Sequence, residues 1–355
     1  MQEGWVYKMY DVSGHRSGGA VDVEESSTYR VRPFRPAWWL RGAHAQTFGG
    51  KFLRPDPRLR LRRKRLETPD GDFVDLDFTP PPREGAPVVL VLHGLEGSAL
   101  RRYMLVTYRE LLDQGLHPIG LNFRSCSGEP NRALRFYHSG DTEDVRFVLE
   151  LLAERYPGVP MGAVGFSLGG NVLLKYLGEE GERGAERLRC AVTISVPFDL
   201  AAGAERLEQG IPGRIYTGYF LQSLRRKVTA RADELRGHCD VEAALRARTL
   251  REFDDAVTAP LNGFADALDY YRRSSSAAYL ERIRVPTLLL QSEDDPFLPR
   301  EAIPWDAIRG NPHLINGFTE RGGHVGFVSG KPWAPRFWAE EETARFIGTA
   351  LSSEK

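Results

Sequence analysis

The chain has 355 residues, with 48 lysines and arginines against 48 aspartates and glutamates, so its formal net charge is zero. A protein without net charge has no overall field that attracts nucleic acid, and we expect no nucleic-acid partner. Its three cysteines have no C-x-x-C spacing, which disfavours both a disulfide framework and a zinc site. No stretch approaches the roughly 18 apolar residues of a membrane span, and no signal-peptide core is visible, so we expect a cytoplasmic protein.

The first third of the chain begins without a regular pattern. Residues 1–30 are polar and aperiodic and predict a loose tail. Residues 31–57 are rich in proline, tryptophan and glycine and predict an ordered but irregular lead-in. Two alternating segments, 59–67 and 73–78, flank the turn sequence PDG at 69–71 and predict a β-hairpin, because glycine accepts a positive φ.

From residue 88 onward, short and continuous apolar segments alternate with helical patterns. Segments of this kind are typical of strands that are covered on both faces in a mostly parallel sheet. The predicted strands are 88–93, 117–123, 161–166, 190–196 and 286–291, and a further apolar stretch follows at 313–318. The sequence therefore predicts an α/β fold.

One connection is far longer than the others. Roughly ninety residues separate the last two long strands, where a connection of a few residues is usual. Helical patterns at 230–248 and 263–273 predict that residues 200–283 form an inserted helical cap, which would cover an active site. The predicted core then consists of the two remaining segments, 31–199 and 284–355.

The strongest chemical signal is the sequence GFSLG at residues 165–169, which follows a predicted strand and precedes a predicted helix. This is the setting of the nucleophile elbow G-x-S-x-G, whose tight turn leaves no room for Cβ atoms on either side of the serine. Ser167 would then stand at a helix N-terminus, where backbone N–H groups stabilise developing negative charge. An incidental serine in a glycine-rich turn is the alternative, and the strand–turn–helix setting favours the nucleophile.

A serine hydroxyl needs a base and an orienting carboxylate, and in this arrangement both follow later in the chain. His324 lies in a glycine-flanked loop after the apolar stretch 313–318 and is the candidate base. Two adjacent aspartates, Asp294 and Asp295, follow the strand at 286–291. We favour Asp295, because the residue just before the turn normally points toward the histidine; Asp294 would brace the loop.

Acyl transfer also needs N–H donors aimed at the oxyanion. The predicted pair is the backbone N–H of Leu168, which follows the nucleophile, and that of Leu95, in the loop HGLEGS at 93–98. We expect His93 to pin this loop by hydrogen bonds rather than to transfer protons.

Other classes of site have little support. The sequence has no H-E-x-x-H, no cysteine–histidine cluster, no P-loop and no G-x-G-x-x-G after the first strand. We therefore predict neither a metal site nor a nucleotide cofactor.

Further short sequences extend the pattern over most of the chain: HAQT (44–47), HGLEGS (93–98), SCSGEPNR (125–132), YHSGDTED (137–144), GFSLGGN (165–171), SVPFDL (195–200), DYY (269–271), DDPF (294–297) and GGHVGF (322–327). In these sequences the chain resembles the YheT-like branch of the α/β-hydrolases, from about Phe34 to Phe337. The resemblance implies the α/β-hydrolase fold, esterase-type activity and a Ser–Asp–His triad, which falls on Ser167, Asp295 and His324.

One position departs from the pattern of the branch. Ser125 stands where glycine is usual, so the loop that contains it is expected to differ slightly if that glycine holds a special backbone angle. HAQT and YHSGDTED carry no assignable chemistry, and we expect His44 and His138 to be structural or to line the pocket.

The expected function is hydrolysis of carboxylic esters, with short- to medium-chain acyl or lipid esters as substrates. Aromatic and aliphatic residues at 215–221 suggest an apolar acyl pocket, although core packing would explain them equally well. An alcohol acyltransferase or a thioesterase on the same triad is the alternative, and a non-catalytic binding module is disfavoured because the triad and the elbow glycines are all present. Acyl chain length, head group and oligomeric state stay open.

Overall fold

The computed structural model describes residues 29–352. Within them, eight strands form one sheet: β1 (Arg62–Glu67), β2 (Phe73–Phe78), β3 (Val88–Leu92), β4 (His117–Asn122), β5 (Met161–Phe166), β6 (Cys190–Ile194), β7 (Thr287–Leu290) and β8 (Leu314–Asn316). Their order is β1-β2-β4-β3-β5-β6-β7-β8. The pairs β1–β2 and β2–β4 are antiparallel and the other pairs are parallel, which confirms the predicted mostly parallel sheet.

The helices lie before, between and after these strands. They are α1 (Ala43–Leu53), α2 (Arg102–Asp113), α3 (Glu143–Arg155), α4 (Leu168–Glu180), α5 (Glu182–Arg187), α6 (Leu200–Glu208), α7 (Gly210–Ala230), α8 (Ala232–Leu235), α9 (Val241–Arg246), α10 (Leu250–Phe253), α11 (Ala259–Leu261), α12 (Ala267–Ser274), α13 (Trp305–Gly310) and α14 (Trp338–Ser352). A π-helical turn (Asp254–Thr258) and two 3-10 helices (Ser276–Arg282, Arg300–Ala302) complete them.

The core is built around the middle of the sheet. Every residue of β3, β5 and β6 is buried, as expected for strands that are covered on both faces. α14 packs on β5 and β6 and also against α2, while α4 packs on the same two strands and against α3. A rigid, doubly covered sheet of this kind holds the loops at the carboxyl ends of its strands in fixed positions, which is where sites form in open α/β sheets.

The lead-in differs from its prediction, because α1 forms where an irregular segment was expected. Its sequence contains Gly49 and Gly50, which lower helix propensity and hide the pattern. Both glycines are buried, and a Cβ at Gly50 would lie 2.8 Å from the Gly326 backbone. Close packing against the loop after β8 therefore accounts for a helix that its own sequence does not favour.

The helices of the segment 200–283 also differ from the predicted pattern. The predicted helix at 230–248 is broken: α7 ends at Ala230, and α8 and α9 are separated by turns. α7 itself was missed, since three glycines and Pro212 weaken its pattern; Pro212 is tolerated because it lies in the first turn. The predicted helix at 263–273 begins later, as α12, where the Asp266 side chain caps the Asp269 N–H.

Two further findings concern the ends of the chain. A hairpin of β9 (Val328–Lys331) and β10 (Ala334–Phe337), which the sequence did not predict, precedes α14. Of the predicted tail, residues 1–28 lie outside the described residues.

In the part of the chain that is described, no helix combines the length and the hydropathy that crossing a membrane requires.

Candidate active site

Ser167 occupies the turn between β5 and α4. Its φ of 50° and ψ of −117° are strained for a residue with a side chain, and they turn the hydroxyl out of the sheet edge. A Cβ at Gly165 would lie 2.5 Å from the Gly169 carbonyl oxygen, and a Cβ at Gly169 would lie 2.5 Å from that of His93. Only glycine therefore fits on either side of the serine.

The structure brings Ser167, His324 and Asp295 together in a row. The His324 Nε2 lies 2.9 Å from the Ser167 Oγ, and its Nδ1 lies 2.9 Å from the Asp295 Oδ2. The second oxygen of Asp295 accepts from the Phe297 N–H at 2.8 Å, and the Phe297 ring stacks on the imidazole at 4.0 Å. These contacts fix both the carboxylate and the plane of the ring.

The neighbouring aspartate has a different position. The Asp294 Oδ1 accepts from the backbone N–H groups of Gly322 and Gly323, each at 2.9 Å. Asp294 thus braces the loop that carries His324, as the sequence suggested, and Asp295 is the carboxylate that contacts the imidazole.

Two side chains of the HAQT sequence, which had no assigned role, hold the same loop. The Thr47 Oγ1 accepts from the His324 N–H at 2.9 Å. The buried Gln46 amide bonds both the N–H and the C=O of Val328. Directly after β6, the Ser195 Oγ accepts from the Val325 N–H at 2.8 Å. The resemblance marked these positions, but no chemical pattern in the sequence points to a backbone-holding role.

The predicted oxyanion donors lie beside the serine. A Cβ at Gly94 would lie 3.2 Å from the Ser167 Cβ, so the loop 93–98 contacts the turn directly. Among the described residues, neither the Leu95 nor the Leu168 N–H has a hydrogen-bond partner, and both residues line the cavity at Ser167. Two N–H groups in this position can stabilise a negatively charged oxygen.

His93 pins the loop. Its Nε2 accepts from the Phe123 N–H at 3.1 Å, which leaves the proton on Nδ1, 2.8 Å from the Gly94 oxygen. Complete burial lowers the pKa of His93 to about 3, so the ring is neutral and unsuited to act as a base near pH 7.

Glu96 is a buried carboxylate that the sequence did not single out. It follows Leu95 directly and has a positive φ of 52°. Its carboxylate accepts from the Lys227 Nζ at 2.6 Å and from the Ser223 hydroxyl, both on α7, and from the Tyr137 hydroxyl at 3.0 Å. The Tyr137 Oη in turn accepts from the Glu96 N–H at 2.7 Å. Glu96 therefore ties the loop 93–98 to the segment 200–283.

Two cavities meet at Ser167 and His324. The first, here called the inner cavity, extends toward the segment 200–283, and most of its lining is apolar, including Leu200, Leu207, Phe220, Leu224, Leu250 and Phe253. The second, here called the outer cleft, lies between α1, the loop after β3 and α7, and its lining includes Phe48, Lys51, Phe52, Arg101, Ile215 and Tyr219. Ser167 is thus accessible from two sides. A nucleophile that cleaves an ester needs space for both parts of the substrate.

Besides Glu96, one further carboxyl group outside the row at Ser167 lines the inner cavity. Asp254, in the π-helical turn, accepts from the Tyr271 hydroxyl at 2.7 Å. Burial raises the pKa of Asp254 to about 6. No motif in the sequence points to Asp254, because Asp254 and Tyr271 become neighbours only through the folding of α10–α12.

The two histidines of the HAQT and YHSGDTED sequences make structural contacts. His44 lies 3.0 Å from the Tyr216 hydroxyl at the outer cleft, and His138 packs against the rings of Phe264 and Tyr270. Ser125 has a positive φ of 59°, so the position does hold the backbone angle that glycine would favour.

No group of histidines, cysteines and carboxylates within residues 29–352 has the arrangement of a metal site.

Comparison with known proteins gives consistent results. The α/β-hydrolase fold family matches residues 87–331. "Putative esterase YheT" of Escherichia coli is 37% identical over 325 residues, which cover 90% of this chain and 94% of that protein. "Phospholipase ABHD3" of Mus musculus is 30% identical over 304 residues, covering 84% and 74%. Among solved structures, a Pyrococcus furiosus esterase aligns with a TM-score of 0.54 at 17% identity, covering 82% of this chain and 92% of that one.

Proposed function

Since this chain belongs to the α/β-hydrolase fold family and, within it, to the YheT-like branch, we propose that it is a serine hydrolase that cleaves carboxylic esters through an acyl-enzyme on Ser167. The observation that carries the proposal is the hydrogen-bonded row of Ser167, His324 and Asp295 beside two N–H groups that have no hydrogen-bond partner within residues 29–352. A nucleophile, a base, an orienting carboxylate and oxyanion donors are the four parts that acyl transfer needs.

The proposed reaction has two half-steps. In the first, the Ser167 Oγ attacks the ester carbonyl while its proton moves to the His324 Nε2, and the N–H groups of Leu95 and Leu168 bind the oxyanion. Collapse of the tetrahedral intermediate breaks the bond to the alkoxide, which takes the proton from His324 and leaves as an alcohol. In the second, water attacks the acyl-enzyme by the same route, and the acid leaves. Asp295 holds the imidazole and stabilises its protonated form throughout.

The substrate class follows from the cavities and from the relatives. The apolar lining of the inner cavity suits an acyl chain, and the outer cleft suits the alcohol part. The related proteins carry the names esterase and phospholipase, which supports esters of aliphatic acids, including lipid esters, as substrates.

The test is hydrolysis of 4-nitrophenyl esters from acetate to laurate by the parent chain and by Ser167→Ala. We expect kcat/KM to fall by about 10³-fold or more in Ser167→Ala, because the nucleophile is lost. Ser329→Ala, at a serine of β9 outside both cavities, serves as the control and should match the parent. Equal rates for the parent and Ser167→Ala on every ester would refute the proposal.

A further inference from the structure

The rim of the outer cleft exposes two rows of large apolar side chains. On α1 the row consists of Phe48 and Phe52, and on α7 it consists of Ile211, Ile215 and Tyr219, in each case four residues apart. Phe52 is 64% exposed, Ile215 57% and Ile211 73%. Helices on a protein surface normally turn such rows inward, so two adjacent rows that face outward mark an interaction surface. We call these five residues the apolar rim.

The apolar rim is continuous rather than scattered. The Phe48 ring stacks on Tyr216 of α7 at 5.5 Å, and the Lys51 Nζ lies 3.7 Å from the centre of the Tyr219 ring. Four of its five residues also line the outer cleft, together with Ser167. A molecule that covers the apolar rim would therefore lie over the entrance that leads to the serine.

Most of the charged side chains on the elements around the apolar rim are cations. The charged residues of α1, of the loop after β3 up to the start of α2, and of α7 are a single carboxylate, Glu96, and seven cations: Lys51, Arg101, Arg102, Arg214, Arg225, Arg226 and Lys227. Glu96 is buried and paired with Lys227. Three of these cations, Lys51, Arg101 and Arg102, line the outer cleft, whereas the chain as a whole is neutral. The exposed Glu208, at the end of α6, is the carboxylate nearest in sequence to Ile211.

We propose that the apolar rim docks on an anionic lipid surface. Its aromatic and aliphatic side chains enter the interface, and Lys51, Arg102 and Arg214 contact the phosphate groups, which is the combination that holds amphipathic helices at membranes. The benefit to catalysis rests on the proposed function, since docking would place lipid esters at the outer cleft. The binding itself does not depend on the chemistry of Ser167.

The test is sedimentation of the full-length Ser167→Ala chain with vesicles of phosphatidylcholine alone or mixed with phosphatidylglycerol. This variant does not consume the lipid, so failure to bind is distinct from failure of the esterase proposal. We expect binding to the mixed vesicles, weakened by high salt, and at least tenfold weaker binding when Phe52→Ser and Ile215→Ser are added. Leu268→Ser, at an exposed leucine of α12, is the control and should bind like the parent. Thermal unfolding checks that all variants fold.

Three outcomes would overturn the proposal. The first is no binding to mixed vesicles, and the second is equal binding to vesicles with and without phosphatidylglycerol. The third is a dimer in gel filtration that dissociates when Phe52 and Ile215 are changed, because the apolar rim would then bind a second copy of the chain.

Discussion

The buried ion pair between Glu96 and Lys227 should couple the stability of the fold to its activity. The pair joins the loop that carries Leu95 to α7 across 2.6 Å, and the side chains are 2% and 19% exposed. Burial lowers the pKa of Lys227, but Cys126 and Glu96 raise it by more, so the ammonium group is charged at neutral pH. Lys227→Met removes this charge and leaves the Glu96 carboxylate with only two hydroxyl donors.

The expected cost follows from that geometry. Breaking a buried pair by removing one partner costs about 3–5 kcal/mol, and the partial exposure of Lys227 together with the remaining donors of Ser223 and Tyr137 reduces this to about 2–3 kcal/mol. The double variant Lys227→Met with Glu96→Gln leaves no charge at this pair, so its free energy of unfolding should fall by less than that of Lys227→Met alone. A coupling energy of about 1–2 kcal/mol is expected.

Urea unfolding at neutral pH measures both quantities, and hydrolysis of 4-nitrophenyl esters measures the effect on the loop. We expect kcat to fall more than KM rises, because the proposed contact of the Leu95 N–H with the oxyanion forms only in the transition state. Arg226→Met, at an exposed cation one position away, is the matched control and should change stability by less than about 0.5 kcal/mol. A coupling energy below about 0.5 kcal/mol, or an unchanged kcat in Lys227→Met, would refute this role of the pair.

Three further predictions concern the supports of the site. Thr47→Val removes the acceptor for the His324 N–H and should lower kcat/KM about tenfold, whereas Thr47→Ser keeps the bond and the rate; steady-state kinetics distinguish them. The pKa of His93 is about 3 in the folded state and near 6.5 in the unfolded state. Between these two pH values the unfolded state binds more protons, so the free energy of unfolding falls as the pH falls. From pH 6 to pH 5, the free energy of unfolding of His93→Gln, measured in urea, should therefore fall by about 1 kcal/mol less than that of the parent. An identical fall in both proteins would contradict the low pKa of His93. Gly169→Ala should lower the free energy of unfolding by about 2 kcal/mol or more and remove most of the activity, because its Cβ meets the His93 carbonyl. Gly218→Ala, in open space on α7, should raise the free energy of unfolding by up to about 1 kcal/mol, as measured by thermal unfolding.

Much of the sheet could be predicted because its strands are buried on both faces. The sequence VVLVL has apolar residues throughout and matches β3, and the same pattern located β5 and β6 within two residues at their ends. Helices whose glycines are required by packing gave no such signal. In α1 and α7, Gly50 and Gly213 fit closely against neighbouring backbone, Gly213 against the Leu207 carbonyl, and these contacts exist only in the folded chain.

The same distinction applies to the site. Ser167, His324 and Asp295 each lie in a short local sequence with a recognisable chemical requirement, and the structure brings them together. Glu96 has no such sequence around it, because its partners Tyr137, Ser223 and Lys227 lie far away along the chain. The cap boundaries at 200 and 283 and the cytoplasmic location stay predictions.

The most direct test of the central claim is to identify the residue that becomes covalently modified. The parent chain is incubated with an alkyl fluorophosphonate, which traps an activated serine as a stable adduct, and the adduct is located by peptide mass spectrometry. We expect one adduct, on the peptide that contains Ser167, none in Ser167→Ala, and slower labelling in Asp295→Asn. An adduct on another residue, or continued ester hydrolysis by Ser167→Ala, would contradict the assignment of Ser167 as the nucleophile.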